Sequence, residues 1–129
     1  MIVLDTHALL WWSLDPQHLS QRAATICEQL EKDGAFASAM SIWELAVKTR
    51  AKKLELPISV TELVEQIDRN GRVELVPTDA SIWLRAAELE WDHRDPADRV
   101  IVATAQLRGV PILTKDAAMH TQKLVECVW

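Results

Sequence analysis

The chain has 129 residues, 49% of them hydrophobic and 26% charged. That balance argues against a disordered protein and for a single core-bearing domain over residues 1–129. The formal net charge of −5 argues against broad, nonspecific adhesion to nucleic acid, and the longest uncharged apolar run, Ala8 to Trp12, is far short of the roughly 20 residues a bilayer span needs. With no export signal at the N-terminus, and with Cys27 and Cys127 in no zinc-ligand spacing, a cytoplasmic protein with reduced thiols and no membrane partner is expected.

Ile2-Val3-Leu4 is a branched apolar run without alternation, as in a short strand buried on both faces of a parallel sheet. Asp5 follows where that strand should end. It can cap the helix starting near His7, or stand at the carboxyl edge where open α/β sheets bind ligands. The helix to Leu14 is apolar on nearly every side and needs cover all round, and Asp15-Pro16 ends it. Ser20 caps a second helix to about Asp33, Gly34 stops it, and Ala35–Ala37 is strand-like. Ser41-Ile42-Trp43-Glu44 has the capping-box pattern, predicting a helix from there to about Arg50.

A further helix is predicted from Ser59 to Asn70, with Gly71 after it, then a strand over Val73–Val76 closed by Pro77. Thr78 or Asp79 caps a helix to about Glu90, and Trp91–Arg94 is a polar break. Asp95-Pro96 opens a heavily apolar helix that Gly109 ends. Pro111–Thr114 is a strand with Lys115-Asp116 as its polar exit, and Leu124–Val128 a final strand. Strands alternating with helices predict an α/β fold, a parallel sheet with helices on both faces.

In such a sheet helix N-termini meet strand C-termini at one edge, which brings four acids together: Asp5 and Asp116 from strand ends, Glu44 and Asp98 from first helical turns. Each also has a plain structural reading as a cap or a turn residue. Packed close, like charges raise one another's pKa unless a cation intervenes. An oxygen donor set without clustered His or Cys selects a hard ion, Mg²⁺ or Mn²⁺, and such a site activates water for attack on a phosphate ester. These four acids also account for four of the five net negative charges, so the overall charge does not exclude a nucleic-acid substrate. Zinc bound through His7, His93 and His120 has no ligand spacing behind it, and His93 reads as a loop residue beside the site.

Four segments resemble the PIN domain, specifically VapC toxins of toxin–antitoxin pairs. They are Leu4–Trp11, Ser41–Glu44 with Lys48, His93–Arg99 running into Val102–Ala105, and Ile112–Asp116. The resemblance implies a PIN-like five-stranded parallel sheet and a Mg²⁺- or Mn²⁺-dependent endoribonuclease acting on RNA. Asp5, Glu44, Asp98 and Asp116 fall on the family's acidic positions, Asp95 is an additional or alternative contributor, and Thr6 and Thr114 fall on supporting polar positions. One departure is Ala97, where many relatives carry Phe. The resemblance also implies a homodimer and a cognate VapB-type antitoxin whose C-terminal segment lies across a groove.

Other classes fit less well. A receiver domain needs an acidic pair after its first strand, and an aspartate-nucleophile phosphatase needs Asp where His7 stands. A catalytically silent PIN-like module that binds RNA or protein is the alternative that keeps the fold. Lys48, Arg94 and Arg99 are candidates for RNA phosphate contact, Lys48 also for pairing with Glu44 four residues earlier. Trp11 and Trp12 point about 100° apart on a helix. They are candidates for a partner interface, or for rings that straddle the core boundary.

Overall fold

In the computed structural model, which describes Met1–Trp129, five strands are β1 (Val3–Leu4), β2 (Ala35–Ser38), β3 (Val73–Val76), β4 (Ile112–Leu113) and β5 (Cys127–Val128). They form one sheet in the order β3-β2-β1-β4-β5, with every pairing parallel. Seven helices alternate with them: α1 (Thr6–Leu14), α2 (Gln21–Asp33), α3 (Ala39–Arg50), α4 (Val60–Asn70), α5 (Ala80–Glu88), α6 (Pro96–Arg108) and α7 (Ala117–Thr121). A single 3-10 turn, Pro16–His18, follows α1. None of the helices is long and apolar enough to cross a membrane.

Successive strand residues point to opposite faces, and β1 shows it. Ile2 and Leu4 join a cluster with Leu9, Leu30, Leu45 and Leu63, from α1 to α4. Val3, between them, packs with Leu89, Ile101, Ile112 and Met119 on the other face, where α5 and α6 share a third cluster built on Ile82 and Val100. The helices therefore cover both faces, as the unbroken apolar strands require. Helix α6 lies so deep that Val100 to Ala105 are all buried.

The helix ends follow local chemistry. Asp5, Ser20, Ser59, Asp79 and Asp95 each accept a backbone N–H as N-caps, and α4 and α6 end on Gly71 and Gly109 at φ 70 and 65, a region L side chains avoid. Two expectations change. Helix α3 begins one turn earlier than the capping box indicates, because β2 runs straight into it and Ser38 caps it through the Met40 N–H. Ser41 is then inside the helix and fully buried, and Glu44 lies in its second turn. The stretch after Asp116 is not a plain exit but the short helix α7, which seats the buried Met119 against Ile101 and Ile112.

Arg99 requires a third correction. The expected phosphate contact is instead a brace: its guanidinium donates to the carbonyls of Ala86, Ala87, Leu89, Trp91 and His93, the closest at 2.6 Å. It collects the carbonyls left open at the end of α5 and ties the following loop to α6. A lysine has one compact ammonium and cannot span five carbonyls. Arg99→Lys and Arg99→Ala are both expected to lower the unfolding free energy, the alanine variant by on the order of 3 kcal/mol. Urea unfolding checks this, and a midpoint unchanged in the alanine variant would contradict the bracing role.

Candidate active site

Strand order reverses between β1 and β4, since β2 and β3 lie to one side of β1 and β5 lies beyond β4. The crevice beyond the strand ends at such a reversal is where ligands bind in open α/β sheets. Asp5 leaves β1 there, and Thr114 and Asp116 follow β4.

Asp5 is 6% exposed and serves two purposes. One oxygen, Oδ1, accepts the Ala8 N–H at 2.8 Å and caps α1, while Oδ2 accepts the Thr114 hydroxyl. Thr114 Oγ1 in turn accepts the Asp116 N–H at 3.0 Å, and Asp116 caps α7 through the Ala118 N–H. The capping and functional readings of Asp5 and Asp116 are thus compatible, since a carboxylate offers about four acceptor positions and a cap uses one.

Asp98 sits at the third position of α6, with Oδ2 2.6 Å from His93 Nε2. His93 stacks on Trp91 with ring centroids 4.6 Å apart, and its carbonyl is held by Arg99. Donor atoms of His93, Asp95 and Asp98 lie within 4.8 Å of one another. Asp95 directs Oδ1 to the N–H groups of Ala97 and Asp98, as the cap of α6.

Burial pushes the Asp98 carboxyl up to about 6, Asp95 and Asp116 add repulsion, and the His93 hydrogen bond opposes the rise. Burial likewise raises Asp5, with Asp116 contributing repulsion and the Thr114 and Ala8 bonds opposing it. Asp116 is thus common to both environments, and the three aspartates share one electrostatic field.

Glu44 shares no hydrogen bond with these aspartates; on their side it reaches only Thr6, the residue that follows Asp5. Its Oε1 accepts the Thr6 hydroxyl at 2.9 Å and its Oε2 meets Lys48 Nζ at 2.8 Å. Thr6 has one proton, given to Glu44, so the 2.9 Å contact between Thr6 and Ser41 is donated by Ser41. This places Thr6 and Thr114 as supports of two different acids, and makes Lys48 a partner of Glu44 rather than a free cation. Arg94 is exposed in the loop before α6.

Beside Asp5 and Asp116 lies a cleft of about 270 Å³, lined also by His7, Trp11 and Lys115. Its aromatic wall carries no local motif in the sequence. Helical spacing links His7 to Trp11, but Trp129 and Lys115 arrive from the far end of the chain. Trp11 and Trp12 are half-buried against the core, whereas Trp43 is 62% and Trp83 47% exposed.

The PIN domain family matches residues 2–123. The chain is 33% identical over 124 residues to ribonuclease VapC22 of Mycobacterium tuberculosis, covering 95% of this chain and 92% of that protein. Its fold is similar to the crystal structure of FitAcB from Neisseria gonorrhoeae, with a TM-score of 0.69, 22% identity and coverage of 100% and 97% of the two chains. It is also similar to a toxin–antitoxin complex from Klebsiella pneumoniae, with a TM-score of 0.68, 17% identity and the same coverage. A third similar fold is VapBC2 from Rickettsia felis bound to a promoter DNA fragment, with a TM-score of 0.68, 16% identity and coverage of 100% and 99%.

The raised carboxyls make stability depend on pH. Between the ordinary value of 3.8 and about 6, Asp98 binds more protons folded than unfolded. Stability therefore falls as pH rises through that window, and the full penalty is present above it. In EDTA, the thermal midpoint is expected to be higher at pH 5 than at pH 7.5, and Asp98→Asn should remove much of the difference. Calorimetry at the two pH values checks this, and an Asp98→Asn variant with the parent's full pH dependence would contradict the assignment.

Proposed function

Because this chain belongs to the PIN-domain family, we propose that it is a VapC-type endoribonuclease, hydrolysing RNA phosphodiester bonds with Mg²⁺ or Mn²⁺. The observation that carries this reading is the convergence of Asp5, Asp98 and Asp116 at the β1/β4 crevice, two of them with carboxyls raised by burial and by the third. All-oxygen donors of this kind fit a hard cation, and a buried and a half-buried carboxylate facing the exposed Asp116 are costly together without one. Asp5, Asp98 and Asp116 would hold the ion, with Asp95 at its margin. Bound there, a divalent ion supplies Lewis-acid polarisation of a phosphoryl oxygen and a more acidic water.

The chain's own groups then have distinct tasks. Asp5 is fixed in orientation by the Ala8 N–H and the Thr114 hydroxyl, so it meets a ligand without rearrangement. Glu44 is fixed through one bond to each oxygen, from Thr6 and Lys48, a preorganised acid for handling a proton at the reacting phosphate. His93 steadies the Asp98 carboxylate. Exposed Arg94 remains a candidate for phosphate contact.

The proposal extends to partners. The similar solved structures include a toxin–antitoxin complex and a VapBC2 assembly, which supports a VapB-type antitoxin for this chain. The exposed side chains of Trp43 and Val47 on α3, and of Trp83 and Leu84 on α5, offer apolar area for the antitoxin and for a homodimer.

Purified protein is expected to cut RNA in a panel of cellular RNAs when Mg²⁺ or Mn²⁺ is present, and to stop when EDTA is added. Asp5→Asn and Asp98→Asn should abolish cutting in folded protein. Cleavage that survives chelation, or folded variants with parental activity, would sink the mechanism. For the partners, light scattering should give a dimer. Trp43→Ser and Trp83→Ser, both on the surface, should shift stability by only about 0.5 kcal/mol while weakening antitoxin capture or dimerisation. If both variants associate like the parent, these faces are not the interfaces.

A further inference from the structure

His120 fits no metal-ligand spacing, yet the fold turns it back onto the residue that joins two of the acids. It stands exposed in α7, and its Nε2 lies 2.8 Å from the Thr114 carbonyl oxygen. A carbonyl only accepts, so Nε2 carries the proton and His120 donates. Thr114 is fully buried and follows the last paired residue of β4, where the ladder to β5 has ended and no backbone N–H reaches its carbonyl. A buried carbonyl without a partner is costly, and His120 removes that cost.

Thr114 then has every polar group engaged. Its N–H donates to the Val128 carbonyl at 3.0 Å, its hydroxyl donates to Asp5 and accepts the Asp116 N–H, and its carbonyl is held by His120. That carbonyl belongs to the peptide leading to Lys115 and Asp116. Fixing it therefore fixes the direction in which the chain leaves β4, and with it the Asp116 N–H and carboxylate. The bond spans six positions of the chain, and Asp116 lies inside the loop it closes. The other anchors of α7 act elsewhere: Met119 seats the helix against Ile101 and Ile112, and Gln122 holds the N–H groups of Leu124 and Val125 behind it.

We propose that His120 is a positioning residue of the acidic site, which holds the Thr114 carbonyl and so sets the turn presenting Asp116 beside Asp5. The consequence, tighter binding of a divalent ion, rests on the nuclease reading; the positioning itself does not. Losing a group that orients a metal ligand typically costs about 10- to 100-fold in affinity. His120 acts one bond further out, which places its effect at the lower end of that range.

The test has two readouts on purified protein. Hydrogen exchange by NMR in EDTA follows the Asp116 N–H without metal. Calorimetric titration with Mn²⁺ gives the affinity of the site, taken as the binding that Asp5→Asn abolishes. His120→Ala should speed Asp116 exchange about tenfold and weaken Mn²⁺ about tenfold, while His120→Gln, a donor of similar reach, stays within about threefold of the parent in both. Thr121→Ala, which removes an exposed bond to the Ala118 carbonyl in the same helix, should leave both at the parental level. If His120→Ala fails to fold by circular dichroism, His120→Asn, a donor too short to reach Thr114, takes its place. Parental exchange at Asp116 or parental Mn²⁺ affinity in that variant overturns the proposal. So does Thr121→Ala reproducing its effects, or His120→Gln giving no rescue. A parent that binds no Mn²⁺ counts against the nuclease reading, and Asp116 exchange then decides the positioning role alone.

Discussion

The Thr114 hydroxyl donates to Asp5 while accepting the Asp116 N–H, so one side chain ties the ends of β1 and β4 together at the reversal of strand order. Asp5 needs that bond. At 6% exposure its charge has lost most of its hydration, and a buried carboxylate without partners is strongly disfavoured. Each of its oxygens has a donor, one from the first turn of α1 and one from Thr114, so its position is determined from both sides of the crevice. The depth of the sheet beneath it, with Val3, Leu4, Ile112 and Leu113 fully buried, keeps these donors from shifting. The catalytic reading of the crevice depends on this rigidity, because electrostatic groups act best when they need no reorganisation.

Structural and chemical roles of the acids are not alternatives in this fold. A helix N-terminus favours a carboxylate through its open N–H groups, and the parallel α/β arrangement places several such termini at one edge of the sheet. Asp5, Asp95 and Asp116 are all caps, yet two of them also raise the charge cost of Asp98. Capping orients each side chain and lowers its energy locally. The mutual repulsion remains, and it is the part that a cation can relieve. Asp79 makes the contrast: it caps α5 in the same manner but stands apart from this cluster.

Much of the architecture was legible because its signals are local. The unbroken apolar strands, the Gly71 and Gly109 stops and the Asp95-Pro96 start each rest on a few adjacent residues, and the aspartates followed from the strand and helix ends those signals locate. Glu44 was legible as a site candidate but not in register. Ser41 at the cap and Ser38 at the cap are both chemically sound, and only the pairing of β2 with β3 up to Ser38 and Val76 decides between them. Helix α7 is one turn and a half with its stability in the tertiary burial of Met119, which no helical periodicity over five residues can announce. The wall of the cleft was illegible for another reason: Trp11, Lys115 and Trp129 are brought together by folding, and their spacing in the chain means nothing beforehand.

Cations show the same limit most sharply. In the sequence, Arg94 and Arg99 are equivalent positive charges near the acidic segments, and only Lys48 is set apart, by its spacing from Glu44. In the fold, Arg99 is committed to five carbonyls, where its planar fork does what a point charge could not, and Lys48 is committed to Glu44 at 2.8 Å. Each of these stabilises the site instead of contacting what enters it. Arg99 holds the loop that presents His93, His93 meets Asp98, and the position of one carboxylate is thereby set from the end of α5. Few cations then remain at the crevice to attract a phosphate backbone, in a chain that is acidic overall.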